Sequence, residues 1–213
     1  MTGTVRKAVT EALATFLFVF GIIAAVNAEV NAAAAIGFML MVLVYATGHI
    51  SGGHLNPAVS LAILIRGAMS VTEFFAYVVA QCVGGVIGAV LSMAIFQRPV
   101  PGDPINIGPS FLVEAFFTFV LVFVVLNVAT SKDHPNNSFY GLAIGATVFV
   151  GATTVGGISG GGFNPAVALG LAVSGQFAWS SMWLYILAPL VGAVLAALVF
   201  RFLSPNDHVK AEA

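Results

Sequence analysis

The strongest restriction on this chain is where its charges are missing. Residues 12–28, 30–65, 74–97, 115–131 and 134–200 contain no Asp, Glu, Lys or Arg. A helix needs about 20 mostly apolar residues to cross the hydrocarbon core of a bilayer, and several of these runs reach that length. Charged side chains make up 7% of the sequence, against roughly a quarter in an ordinary soluble domain. The chain therefore reads as an all-α, polytopic membrane protein.

Several function classes drop out at once. The net charge is −1 and no basic cluster exists, so no nucleic-acid partner is expected. Cys82 is the single cysteine, which removes any intrachain disulfide or multi-cysteine metal site and reads as a small apolar filler. His49 and His54 have neither helical i, i+4 spacing nor a carboxylate or cysteine beside them, so no metal and no cofactor is expected. Arg6 and Lys7 precede an apolar run too long for a signal-peptide core, and it reads as the first span.

Apolar length places six spans at about 5–27, 33–50, 70–95, 110–131, 138–157 and 179–203. Asn27, Glu29 and Asn31 separate the first pair. Pro99, Pro101, Pro104 and Pro109 mark a loop too rich in proline for a membrane helix. The expected layout is one domain over 1–203, followed by a polar, frayed cytoplasmic tail over 204–213. Two apolar pieces remain, Ser51–Ile65 and Ile158–Gly175. As one helix, run 30–65 would measure about 54 Å, nearly twice the ~30 Å core. Both pieces are glycine-led and too short to span, and non-helical backbone at membrane depth survives only inside protein or beside a wet cavity. They are expected to be re-entrant.

These pieces are also copies. GHISGGHLNPAVSLAILIRG (48–67) aligns with GGISGGGFNPAVALGLAVSG (156–175), placing Asn56 108 residues before Asn164. Glu11, Thr15 and Val19 recur 103 residues later as Glu114, Thr118 and Val122. Each half, about 5–95 and 110–203, holds three spans and one re-entrant piece. An odd number of spans inverts the second half in the membrane and puts the functional centre at the midplane between halves. With both termini cytoplasmic, Arg6, Lys7, Arg66, Lys132, Arg201 and Lys210 fall inside and only Arg98 outside. That obeys the positive-inside rule, as expected of a multi-pass protein of the inner (plasma) membrane.

Asn56-Pro57-Ala58 and Asn164-Pro165-Ala166 each combine a favoured helix N-cap with a favoured first helical residue. Two half-helices entering from opposite faces would meet N-terminus to N-terminus, with macrodipoles summing to a positive midplane. One such triplet is an ordinary capped helix; two symmetric copies in charge-free, glycine-led segments argue for a functional junction at the midplane. Gly84/Gly88 and Gly141/Gly145 have spacing that favours close helix packing.

With both boxes, the preceding HISGGHLNPAV and the repeated glutamate motif, the sequence resembles the aquaporin superfamily, the major intrinsic proteins, from about Glu11 to Arg201. The resemblance implies six tilted helices and two half-helices, one pore per subunit and a homotetramer. It implies that Gly52, Gly53, His54, Gly160, Gly161 and Gly162 turn backbone carbonyls toward the permeant. It also implies that Glu11 and Glu114, which as intramembrane carboxylates could suggest a proton path, are structural acceptors for re-entrant N–H groups.

The family's narrowest ring falls on Ile36, Ala152, Gly161 and Val167, counted from the boxes. Water-selective members carry an aromatic, a histidine, a small residue and an arginine there; this chain lacks the aromatic, the histidine and the arginine. In having valine at 167 it resembles vacuolar plant channels and bacterial members associated with arsenic detoxification. The glycerol-facilitator branch has Arg-Asp where Val167-Ala168 stand. The expected function is passive passage of water and larger neutral solutes such as glycerol, urea or arsenous acid, without protons or cations. A water-selective channel is the alternative. An ion-coupled transporter would need titratable groups at the midplane, and no constellation for an intramembrane enzyme can be assembled.

Overall fold

The computed structural model describes residues 3–28, 31–96 and 104–207. Glu29, Pro99, Pro101, Arg98 and Lys210 lie outside the described residues. Six helices are long and apolar enough to cross a membrane. They are α1 (Gly3–Asn27), α2 (Ala32–Ser51), α4 (Val71–Phe96), α5 (Ile107–Val125, continuing as a wider π-turn over Leu126–Thr130), α6 (Tyr140–Ser159) and α8 (Met182–Leu203). Between them lie two short helices, α3 (Pro57–Arg66) and α7 (Pro165–Val173). Two boundaries correct the sequence reading. Pro109 sits in the first turn of α5 rather than in a loop, where the N–H it lacks would have no partner anyway. Ile158 and Ser159 finish α6, so the second re-entrant piece begins at Gly160.

The packing repeats as the sequence does. α1 packs on α4 and α5 on α8, while α2 crosses α6 at the centre; α3 leans on α8 and α7 on α4, so each half-helix is held by the last helix of the other half. Glycine makes the closest approaches possible. A Cβ on Gly84 would collide with the Ala12 carbonyl, and one on Gly192 with the equivalent Ala115 carbonyl. At the α2–α6 crossing, Gly37 and Gly145 present each other with the same obstacle.

One end of the bundle carries a clasp that no local pattern announces. Arg66, the last residue of α3, donates from Nη1 to the Asp207 carbonyl (3.0 Å) and from Nη2 to Asp207 Oδ1 (2.9 Å) and the Thr130 carbonyl (2.7 Å). Its guanidinium lies 4.6 Å from the centre of the Phe200 ring. Asp207 Oδ2 accepts from Ser131 Oγ (2.9 Å) and the Lys132 amide (3.1 Å). The side chains are 1% and 3% exposed. The expectation of a frayed tail from Ser204 is therefore corrected up to Asp207, because a buried guanidinium requires an anion.

Two predictions follow from these contacts. Gly84→Val and Gly192→Val should each lower stability in detergent by about 1–3 kcal/mol or more through overpacking. Gly157→Ala, whose added carbon meets nothing within 4 Å, should leave the thermal midpoint unchanged or slightly raised. Asp207→Asn strips the anion from a buried pair and should cost about 3 kcal/mol. Burial alone would raise the Asp207 carboxyl, but hydrogen bonds from Arg66, Ser131 and Lys132 outweigh it and hold the group below the usual carboxylate range. Its stabilisation is thus complete above the ordinary carboxylate pKa of about 4 and lost as pH falls through the lower folded value. The difference in midpoint between wild type and Asp207→Asn should shrink below that pH.

Candidate functional site between the two half-helices

Both asparagines of the repeated boxes adopt extended backbone and cap their own half-helix. Asn56 Oδ1 accepts from the Ala58 amide (2.8 Å), and Asn164 Oδ1 accepts from the Ala166 (3.0 Å) and Val167 (3.3 Å) amides. Their other ends cross over. Asn56 Nδ2 donates to the Phe163 carbonyl (3.0 Å), and Asn164 Nδ2 to the Leu55 carbonyl (2.7 Å). Each asparagine thus fastens its own half-helix and the opposite loop together, and keeps one amide hydrogen uncommitted. Leu55 and Phe163 present those carbonyls from left-handed backbone, φ 51° and 47°, a conformation that is costly for a residue with a side chain. Pro57, Ala58, Pro165 and Ala166 form the first turns of α3 and α7, whose positive ends converge here.

The strain is held by the two carboxylates. Glu11 Oε1 accepts from Ser51 Oγ (2.6 Å) and the His54 amide (3.0 Å), and its Oε2 from the Leu55 amide (2.7 Å) and Gln81 Nε2 (2.8 Å). Glu114 Oε1 accepts from Ser159 Oγ (2.7 Å) and the Gly162 amide (2.9 Å), and its Oε2 from the Phe163 amide (2.6 Å). Tyr77 and Tyr185 complete the symmetry by donating their hydroxyls to the Ser51 and Ser159 carbonyls. Gln81 has no counterpart, because position 189 is proline. Both glutamates are fully buried. With the loop amides drawn toward them, the carbonyls of Gly53, His54, Gly161 and Gly162 have no protein donor among the described residues.

A cavity of about 660 Å³ runs along this junction. Ile36, Ala152, Gly161 and Val167 all line it, together with Asn56, Asn164, Gly53, His54, Gly160 and Gly162. Gly52 instead lines a second cavity of about 330 Å³, beside Lys7, Glu73 and Thr130. Only His54 and Val125 border both cavities among the described residues, so they stand between the two. Ser60 Oγ bonds the Asn56 carbonyl (3.1 Å) and lies 3.0 Å from His54 Nδ1. With its single proton on that carbonyl, Ser60 accepts from Nδ1–H and leaves His54 Nε2 as an acceptor. Val167 is 2% exposed, packed against the core behind it while forming cavity wall in front. Val59, one repeat earlier, lines the same cavity.

The sequence reading passed over several residues that shape this site. Ser51, Ser159, Tyr77 and Tyr185 could have been found, since each pair lies 108 residues apart like the boxes. Gln81 and the cavity-lining Gln176 stand in no repeat and left no signal. His49, weighed earlier as a ligand, lies within α2, and no group of three or more His, Cys, Asp or Glu that could hold a metal occurs among the described residues.

The glutamates give a test. Glu11→Gln or Glu114→Gln turns an NH2 group onto backbone donors, and each donor left facing a donor should cost about 1–3 kcal/mol. The thermal midpoint should fall in both variants, while the ratio of solute to water permeability in the surviving folded protein stays constant. An altered ratio at unchanged stability would instead give these carboxylates a part in conduction.

The comparisons with known proteins agree with this geometry. A family model described as Major intrinsic protein matches residues 1–200. The chain is 39% identical to the glycerol uptake facilitator protein-like 6 of Lactiplantibacillus plantarum, over 95% of this chain and 100% of that one. It is 34% identical to nodulin-26 of Glycine max, over 97% of this chain and 81% of the relative. Its fold superposes on the aquaglyceroporin from Plasmodium falciparum with a TM-score of 0.82, covering 95% of this chain and 98% of that one at 21% identity. The family consists of channels rather than enzymes, and this multi-pass membrane chain belongs to it: it is a major intrinsic protein, a channel for water and small solutes.

Proposed function

We propose that this channel passes uncharged solutes larger than water, with glycerol, urea and arsenous acid as representative sizes and hydroxyl patterns, alongside water itself. One observation carries the reading: the four positions Ile36, Ala152, Gly161 and Val167 all line the cavity, and none bears a charge, a ring or a side-chain hydrogen-bond donor. Bulk and fixed charge at a constriction exclude solutes; a ring of small and aliphatic groups offers neither. The named glycerol facilitator-like relative is consistent with that range.

Ion exclusion follows from the midplane. Each asparagine Oδ1 is occupied by its own helix cap, so the pair presents only N–H donors to a permeant. A passing hydroxyl or water oxygen accepts from them and turns its own hydrogens away, which interrupts a proton wire. Cations meet two positive helix ends and the cost of shedding their hydration. The carbonyls of Gly53, His54, Gly161 and Gly162 then serve as acceptors along the path, and Asn56 and Asn164 are the orienting residues. Transport is passive: no Asp, Glu, Lys or Arg lines the cavity among the described residues, and its one histidine, His54, is held by Ser60 to one side of the asparagine pair.

The basic residues orient the protein in the membrane. Lys7 pairs with Glu73 (2.8 Å), Arg66 with Asp207 (2.9 Å), and Arg201 Nη1 lies 3.5 Å from the Ile65 carbonyl, which gathers them at one end. We place that end, with both termini, on the cytoplasmic side of the cell membrane. A homotetramer is proposed from the family resemblance, with the exposed outer faces of the six spans meeting lipid or neighbouring subunits.

The test is swelling of reconstituted vesicles by stopped-flow light scattering with glycerol, urea and arsenous acid. Wild type should pass each down its gradient with low activation energy and no response to a proton or sodium gradient. Val167→Arg adds bulk and donors and should lower glycerol flux about tenfold or more, the effect of 1.4 kcal/mol or more at the barrier, while water flux persists. Wild-type vesicles that pass water and exclude all three solutes would sink the wide-ring reading and leave a water-selective channel.

A further inference from the structure

The wall around the ring is aliphatic, and a solute that sheds water there needs something to replace its lost hydrogen bonds. The outer end of the cavity supplies one group built for that. Gln176 lines the cavity with Val167 and Leu171 of α7, yet its side chain is 7% exposed. Its Nε2 is buried and has no hydrogen-bond partner among the described residues. A carboxamide held in that state loses the full desolvation cost of its donors, and native structures rarely retain one without a use. The backbone that carries it is firmly placed. The amides of Gln176 and Phe177 both donate to the Leu171 carbonyl (2.8 and 3.0 Å), and Phe177 stacks on Tyr185 with centroids 4.2 Å apart. Ser180 and Ser181 line the same mouth, but Ser180 is exposed and Ser181 half-buried, so water already serves them. Ser159 and Tyr185 line the same end but are hydrogen-bonded. Gln176 is the buried side chain there with an unpartnered donor, and the adjoining cavity is where that donor can find acceptors by a rotation of the amide.

We propose that Gln176 is a specificity-determining residue of the channel: its carboxamide turns into the outer cavity and exchanges hydrogen bonds with hydroxylated solutes as they leave water for the aliphatic ring. Such a group lowers the barrier for a polyol more than for water. A polyol loses several hydrogen bonds at once in the ring, whereas water in single file keeps its neighbours. The inference rests on the solute-pore reading above, and the experiment separates the two.

The experiment measures glycerol and water permeability in the same reconstituted vesicles for wild type, Gln176→Met and Gln176→Asn. Methionine keeps the length and volume of the side chain without its donors and acceptor. Glycerol permeability should fall about three- to tenfold in Gln176→Met, the range one neutral hydrogen bond spans, with water permeability unchanged. Gln176→Asn should recover part of the loss. Preserved water flux certifies the fold, so a Gln176→Met channel with an unchanged glycerol-to-water ratio overturns the proposal. So does a proportional loss of both, which marks a packing role. If wild type itself excludes glycerol, the wide-ring reading fails. The Gln176 proposal then falls with it, whereas an unchanged ratio in a glycerol-permeable channel overturns Gln176 alone.

Discussion

Everything in this channel depends on burying non-helical backbone in the middle of a membrane protein. A loop amide or carbonyl without a partner there has no bulk water to turn to, and each such group is expensive. Glu11 and Glu114 meet that constraint by gathering the loop amides on one side. A carboxyl group offers two oxygens, each able to accept more than one hydrogen bond, which is why one residue per half suffices. The same arrangement has a functional consequence: with amides drawn inward, carbonyls are left over for a permeant.

The asparagines extend this economy of groups. Each carboxamide has two ends, and the protein uses them differently. The oxygen caps the asparagine's own half-helix, while the nitrogen reaches the carbonyl before the opposite asparagine. Capping orients the helix and so its dipole; the crossed bonds set the distance between the two halves. A centre built this way is rigid because the same two side chains cap the half-helices and join the halves. The left-handed backbone at Leu55 and Phe163 is the strain that this geometry requires.

The two halves match closely but not completely, and several differences fall around the cavity. Gln81 braces Glu11, whereas Pro189 stands at the corresponding place in α8 and Glu114 keeps three donors. Val59 and Val167 correspond, yet the neighbours beyond them do not. One re-entrant loop has His54 where the other has Gly162. Gln176 lines the cavity from a segment the first half does not reproduce. Symmetry provides a common scaffold, and departures from it leave an imidazole on one side of the asparagine pair and none on the other.

Much of this was legible in sequence because membrane proteins obey few and strict rules. Apolar length marks the spans, duplicated Asn-Pro-Ala marks the half-helices, and paired glutamates inside apolar runs demand partners, among which the re-entrant amides are the nearest unsatisfied donors. The Arg66–Asp207 clasp was not legible, since it joins residues 141 apart and the tail's composition alone suggests fraying. Nor was Gln176, whose meaning comes from being buried beside a cavity with an unpartnered amide. By itself the sequence determined the number of spans, the inverted repeat and the pairing of boxes, because hydrophobic length and local capping are properties of contiguous residues. Only the tertiary structure decided which donors each carboxylate holds, which side chains face the path and where the path narrows. Those outcomes depend on how separate helices pack, and packing is settled by contacts between residues that no local pattern connects.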